Sequence, residues 1–184
     1  MTEDHTDITP PRDEGGPIPE AGWLGRAIDR VGIVFAIGII IAMLILIQEV
    51  VLRYFFNRPT IWAHETTVFL SGVAFVFGGL YCTARDSHIR VVLIYDQLGP
   101  KMRRAFDVVI SIVCGLAAAM FTWAAWIMVS RAAFTPAGDF RLERSGSAWD
   151  PVYPGAIKVF LMLVLGIMTV QFAILAVNYA RGRR

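Results

Sequence analysis

The chain has 184 residues, 56% of them hydrophobic and only 17% charged, with a mean hydropathy of +0.57; so little charge cannot coat an ordinary soluble domain. A net charge of +2 says little until the charges are placed along the chain, and Cys82 and Cys114 match no metal or redox spacing. The apolar residues cluster in long runs instead of repeating with the period of one buried face, so lipid is the expected solvent.

Residues 1–22, MTEDHTDITPPRDEGGPIPEAG, are acidic, rich in Pro and Gly, and lack a basic leader followed by an apolar stretch. That composition predicts a disordered cytoplasmic tail and no signal peptide, leaving 23–184 as the membrane domain. WLGRAIDR, residues 23–30, reads as an interfacial lead-in with Trp23 at headgroup depth. Val31 to Leu52 is the first of four apolar runs close to or above the roughly 20 residues that a helix needs to cross about 30 Å of hydrocarbon. Near its end Glu49 and Arg53 stand four apart, acid first, which predicts a structural ion pair on one helix face rather than a mid-bilayer coupling carboxylate.

The break that follows, RYFFNRPTIWAHE (53–65), gathers Arg53, Asn57, Trp62, His64 and Glu65 between two greasy runs. One reading is a charged first turn, with Glu65 facing the positive end of the next helix and Trp62 anchoring at the interface. The other is a polar contact with a partner protein. After a second span, Thr66 to Ala84, the loop TARDSHIRVVLIYDQLGPKMRR holds an apolar stretch too short to cross, flanked by His88, Arg90, Lys101, Arg103 and Arg104. An interfacial amphipathic helix over about 88–98, its basic neighbours anchoring to anionic lipid, is expected; a loop packed under the bundle is the alternative. The third and fourth spans run from Ala105 to Val129 and from Gly155 to Ala180.

Lys and Arg set the threading. Eleven cations lie before the first span, in the second loop and at the C-terminus, against five in the first and third loops. The positive-inside rule then predicts both termini in the cytosol and RYFFNRPTIWAHE outside. The expected fold is therefore all-α and integral to the membrane: four transmembrane helices plus short interfacial amphipathic helices, N-in and C-in. Small residues at four-residue spacing, such as Gly38 and Ala42 or Ser111, Gly115 and Ala119, allow close helix approach within the chain or against another subunit.

Chemistry has few carriers here. Outside the tail only His64 and His88 could ligate haem, and 24 residues of helix separate them by roughly 36 Å, too far for one iron. A small multidrug exporter, the runner-up among four-span proteins, relies on an acid well inside its first span, whereas Glu49 lies toward the edge. No phosphate loop, nucleophile elbow or zinc spacing is present, so no enzyme activity, cofactor or metal is expected. Basic residues beside a span read as lipid anchors before nucleic-acid contacts. No two spans are interrupted in corresponding positions, as the broken helices of a complete secondary carrier would require.

The order VLRYFFNRPTIWAHE, an apolar span, ARDSHIRV and then LGPKMRR resembles the small membrane subunit (DctQ-like) of tripartite ATP-independent periplasmic (TRAP) transporters. The likeness covers most of residues 45–105 and extends more loosely to SAWDPVYPGAIKVFLMLVLG; it departs from the family pattern at His64 and Val92. The resemblance implies a bacterial inner-membrane complex for symport of organic acids. Its expected partners are a large membrane subunit that binds substrate and sodium and a periplasmic substrate-binding protein, with membrane lipids around the helices and no nucleic acid. It also implies that Arg53, Asn57, Trp62, His64 and Glu65 form a subunit contact.

Overall fold

A computed structural model describes residues 16–85, 99–135 and 138–181. A 3-10 turn at Pro19–Ala21 leads into α1 (Gly22–Tyr54); α2 (Ala63–Ala84), α3 (Pro100–Ala133) and α4 (Tyr153–Arg181) follow. Each is long and apolar enough to cross a membrane, and the four expected spans lie inside them. Among the described residues there is no named strand, only an isolated bridge between Phe134 and Phe140. The interfacial helix expected over 88–98, with His88 and Arg90, lies outside the described residues.

Helix ends outrun the apolar runs. α1 has 33 residues, roughly 50 Å of helix, because WLGRAIDR contains no proline and its one glycine, Gly25, is accommodated within the helix. The lead-in is thus the first two turns of α1, not a separate element, and Trp23 is 69% exposed. α3 starts where Gly99 and Pro100 supply an extended residue and a proline at the first helical position.

The helices stand in a row. α1 packs on α2, α2 on α4 and α4 on α3, while α1 meets α4 only sparsely. α1 touches its neighbours through one narrow seam: Gly25, Ile28, Gly32, Phe35, Gly38, Ala42, Ile45, Glu49 and Leu52 are buried or half-buried, and their intervening residues are mostly exposed. Steps of three and four residues match the heptad geometry of knobs-into-holes packing. Only 6% of its most apolar stretch is buried.

Inside the row, Phe35 stacks on Phe77 with ring centres 4.0 Å apart and tilts against Phe160 at 5.8 Å. Leu80, Ala84, Ala118, Phe172 and Leu175 are almost fully buried. At the junction of α1, α2 and α4, Gln171 is fully buried and its Nε2 donates to the Ala21 carbonyl at 3.2 Å. Asn178 Nδ2 donates to the Glu20 carbonyl at 2.8 Å, and the Ile18 amide to the Ala84 carbonyl at 3.2 Å. Residues 18–21, inside the stretch expected to be solvated tail, are instead stitched to the helices, because an apolar Ile18 and Ala21 give them something to bury. Arg104 likewise does more than face lipid: its guanidinium donates to the Tyr179 carbonyl at 2.7 Å and to that of Ala180, capping the negative end of α4. Lys101 is exposed and Arg103 half-buried.

A Cβ on Gly25 would collide with the Ala21 Cβ, whereas one on Gly38 meets nothing within 4 Å. Gly25→Leu should therefore destabilise the detergent-solubilised protein by about 1–3 kcal/mol through overpacking. Gly38 lies on the seam's face but has open space beside it, so Gly38→Leu should leave the thermal midpoint unchanged or slightly raised, and an equal loss in the two variants would contradict that contrast.

Candidate functional site

One end of the row carries both structured loops. α1 ends with Arg53 one turn after Glu49, and the chain then turns back: the Phe55 amide donates to the Val51 carbonyl and the Arg58 amide to the Leu52 carbonyl, both at 2.9 Å. Asn57 makes the reversal with φ at 52°, a left-handed conformation that asparagine tolerates better than most residues. Thr60 is thereby delivered onto Glu49, eleven residues earlier.

Glu49 is 7% exposed, and its carboxylate is fully occupied. It accepts from Arg53 Nη2 at 2.7 Å and Nε at 3.2 Å, from the Thr60 amide at 3.1 Å, and from the Thr60 hydroxyl. A buried charge persists only when paired and hydrogen-bonded, and here every donor comes from the same turn of chain. The expected i,i+4 pair is present; Thr60 is the partner that sequence reasoning missed.

The five residues expected to form a contact do not converge. Among the described residues no hydrogen bond or ion pair joins any two of Arg53, Asn57, Trp62, His64 and Glu65. Asn57 and His64 are exposed, and Arg53 keeps 53% of its side chain exposed while gripping Glu49. Trp62 precedes α2 and is half-buried; its carbonyl accepts the Thr66 amide at 3.0 Å and the Thr66 hydroxyl at 2.9 Å. Glu65 tucks beneath the third loop, where its Oε1 lies 3.5 Å from the Ser145 hydroxyl and its Oε2 is buried without a partner.

The third loop is built rather than slack. The Thr135 amide donates to the Asp139 carbonyl at 3.0 Å, the Arg141 amide to Ala133 at 2.9 Å and the Glu143 amide to Ala132 at 2.8 Å, which lays a small hairpin back along the end of α3. Asp150 then latches the return: Oδ1 accepts the Gly146 amide at 3.0 Å and Oδ2 the Arg144 Nε at 2.8 Å. Lys158 pairs with Glu143. The Gly146 amide and the Arg144 guanidinium hold the Asp150 carboxyl below the ordinary carboxylate range, against a smaller opposing effect of desolvation. At the other end of α2, Arg85 binds Asp29 of α1 at 2.7 Å and lies 4.7 Å over the Tyr81 ring.

Two concavities flank these elements. An apolar groove of about 760 Å³ runs between Trp23 and Trp126 over Gly166 of α4, and a polar cleft of about 780 Å³ lies between the end of α3 and the third loop. Among the described residues no three His, Cys, Asp or Glu side chains come together in a metal-binding group.

A family model described as "Tripartite ATP-independent periplasmic transporters, DctQ component" matches residues 42–182, most of the chain. No curated protein matches it.

The Asp150 latch should respond to pH with a definite sign. Its native carboxyl binds a proton less tightly than an unfolded one, so its contribution is complete above the ordinary carboxylate pKa of about 4 and fades as pH falls through the lower native value. Asp150→Asn should speed hydrogen exchange of the Gly146 amide at neutral pH, and the difference from the parent chain should shrink in acid. An unchanged Gly146 rate at neutral pH would contradict the latch.

Proposed function

The chain belongs to the DctQ component family of TRAP transporters, and on that premise we propose that it is the immobile partner in a sodium-coupled symporter for an organic acid. In this reading a large membrane subunit carries the substrate and sodium sites and a periplasmic binding protein delivers the substrate. This small multi-pass subunit widens and anchors the scaffold in the bacterial inner membrane, against which the partner's mobile part moves. Both termini face the cytosol, in keeping with the excess of cations before the first span, in the second loop and at the C-terminus. The Glu49 end and the third loop then face the periplasm.

One observation carries the reading: no charged side chain within the four expected spans is left to bind and release an ion or solute. Glu49 is held by Arg53 and Thr60, Lys158 pairs with Glu143, and Asp107 is also engaged. A coupling residue must change partners during a transport cycle, and a carboxylate with every lone-pair direction filled by its own turn of chain is fixed instead. The bare flank of α1 offers a second support, since a helix held by one seam has most of its perimeter available to another subunit.

Vesicles holding this chain with its large subunit and binding protein should accumulate an organic acid on an inward sodium gradient. Vesicles holding this chain alone should show no flux above protein-free controls. Uptake by the chain alone would contradict the proposal.

A further inference from the structure

The polar cleft beside the third loop is cationic once its internal pairs are set aside. Of its acidic lining residues, Glu143 is neutralised by Lys158 and Asp150 by Arg144. That leaves the guanidinium groups of Arg131, in the last turn of α3, and of Arg141, on the returning limb of the hairpin, whose charge also reaches Asp150; both residues are exposed. Neither makes an ion pair among the described residues. Next to them the hairpin displays Phe134 and Phe140, 52% and 73% exposed, edge to face with ring centres 5.8 Å apart.

We propose that this cleft docks an acidic patch of a soluble protein outside the membrane, with Asp or Glu carboxylates seated between Arg131 and Arg141 and an apolar rim against the Phe134–Phe140 pair. The guanidinium fork matches a carboxylate with two parallel N–H donors, a geometry that a point charge does not reproduce. Arginine and aromatic residues together are also the composition that dominates binding energy in protein interfaces. The backbone under the cleft is already fixed by the Arg141–Ala133 and Glu143–Ala132 hydrogen bonds and the Asp150 latch, so little ordering is left for binding to impose. An anionic lipid headgroup is the competing occupant. The two occupants are separated by the lipid composition used in the test below. The inference rests on the orientation and tripartite assembly proposed above, which put the cleft outside and make the periplasmic binding protein the docking partner.

The test uses the complex of this chain with its large subunit in nanodiscs of zwitterionic phosphatidylcholine, with binding of the binding protein measured at about 50 mM and about 300 mM salt. Arg131→Glu with Arg141→Glu should weaken binding about tenfold or more at low salt, with the gap narrowing at high salt, while co-purification with the large subunit is retained. Arg131→Lys with Arg141→Lys should weaken it by a smaller factor. Binding by the charge-reversed complex within about twofold of the parent at low salt would overturn the proposal. A difference seen only in nanodiscs containing phosphatidylglycerol would overturn it in favour of a lipid site. Absence of binding even to the unaltered complex would overturn the tripartite reading itself, a separable failure.

Discussion

A carboxylate buried at the end of α1 is the constraint on which this end of the molecule depends. Glu49 cannot be left bare at the margin of the hydrocarbon, and its partners are Arg53, one turn on, and Thr60, which reaches it only because the chain doubles back at Asn57. The need to neutralise one charge therefore sets where α1 stops, how the first loop folds and where α2 begins. At the far end of the same helix pair, Arg85 clasps Asp29 while lying over Tyr81. α1 is thus clamped to the first loop at one end and to the end of α2 at the other, with a single seam of mostly small and apolar residues between them.

This arrangement explains how a chain with few polar groups in its spans can still be well defined. In lipid, apolar surface is not driven together as it is in water, so helix association leans on close packing and on hydrogen bonds. The row α1–α2–α4–α3 uses both, through Gly25 and Gly32 in the seam, Gln171 at the junction, and Arg104 capping α4. A row also leaves broad flanks uncovered, as the proposed scaffolding role requires.

The helices were legible because each apolar run reaches membrane length, a demand that composition alone reveals. Their ends were less so: Trp23 to Arg30 looked like a separate interfacial piece because hydropathy falls off there, yet backbone hydrogen bonding continues a helix through polar residues until a breaker intervenes. The Glu49–Arg53 pair could be read from its spacing, whereas Thr60 could not, since its approach depends on one left-handed residue; Asn57 was the only hint. Asp29 with Arg85, 56 residues apart, carried no local signal at all. RYFFNRPTIWAHE looked like one polar cluster because its residues are adjacent in sequence, but a helix end, a turn and a helix start point Arg53, His64 and Glu65 in different directions. The third loop carries no local signal of its latch, which emerges only when Asp150, at φ 48°, brings its carboxylate back to Gly146 and Arg144.

The central claim is that Glu49 builds the subunit and takes no part in moving ions or solute. The most direct measurement is sodium-dependent uptake per assembled complex for the Glu49→Gln variant, alongside the yield of that complex. The account predicts a lower yield, with unchanged sodium dependence in the complexes that do assemble. A normal yield with altered sodium dependence would contradict it.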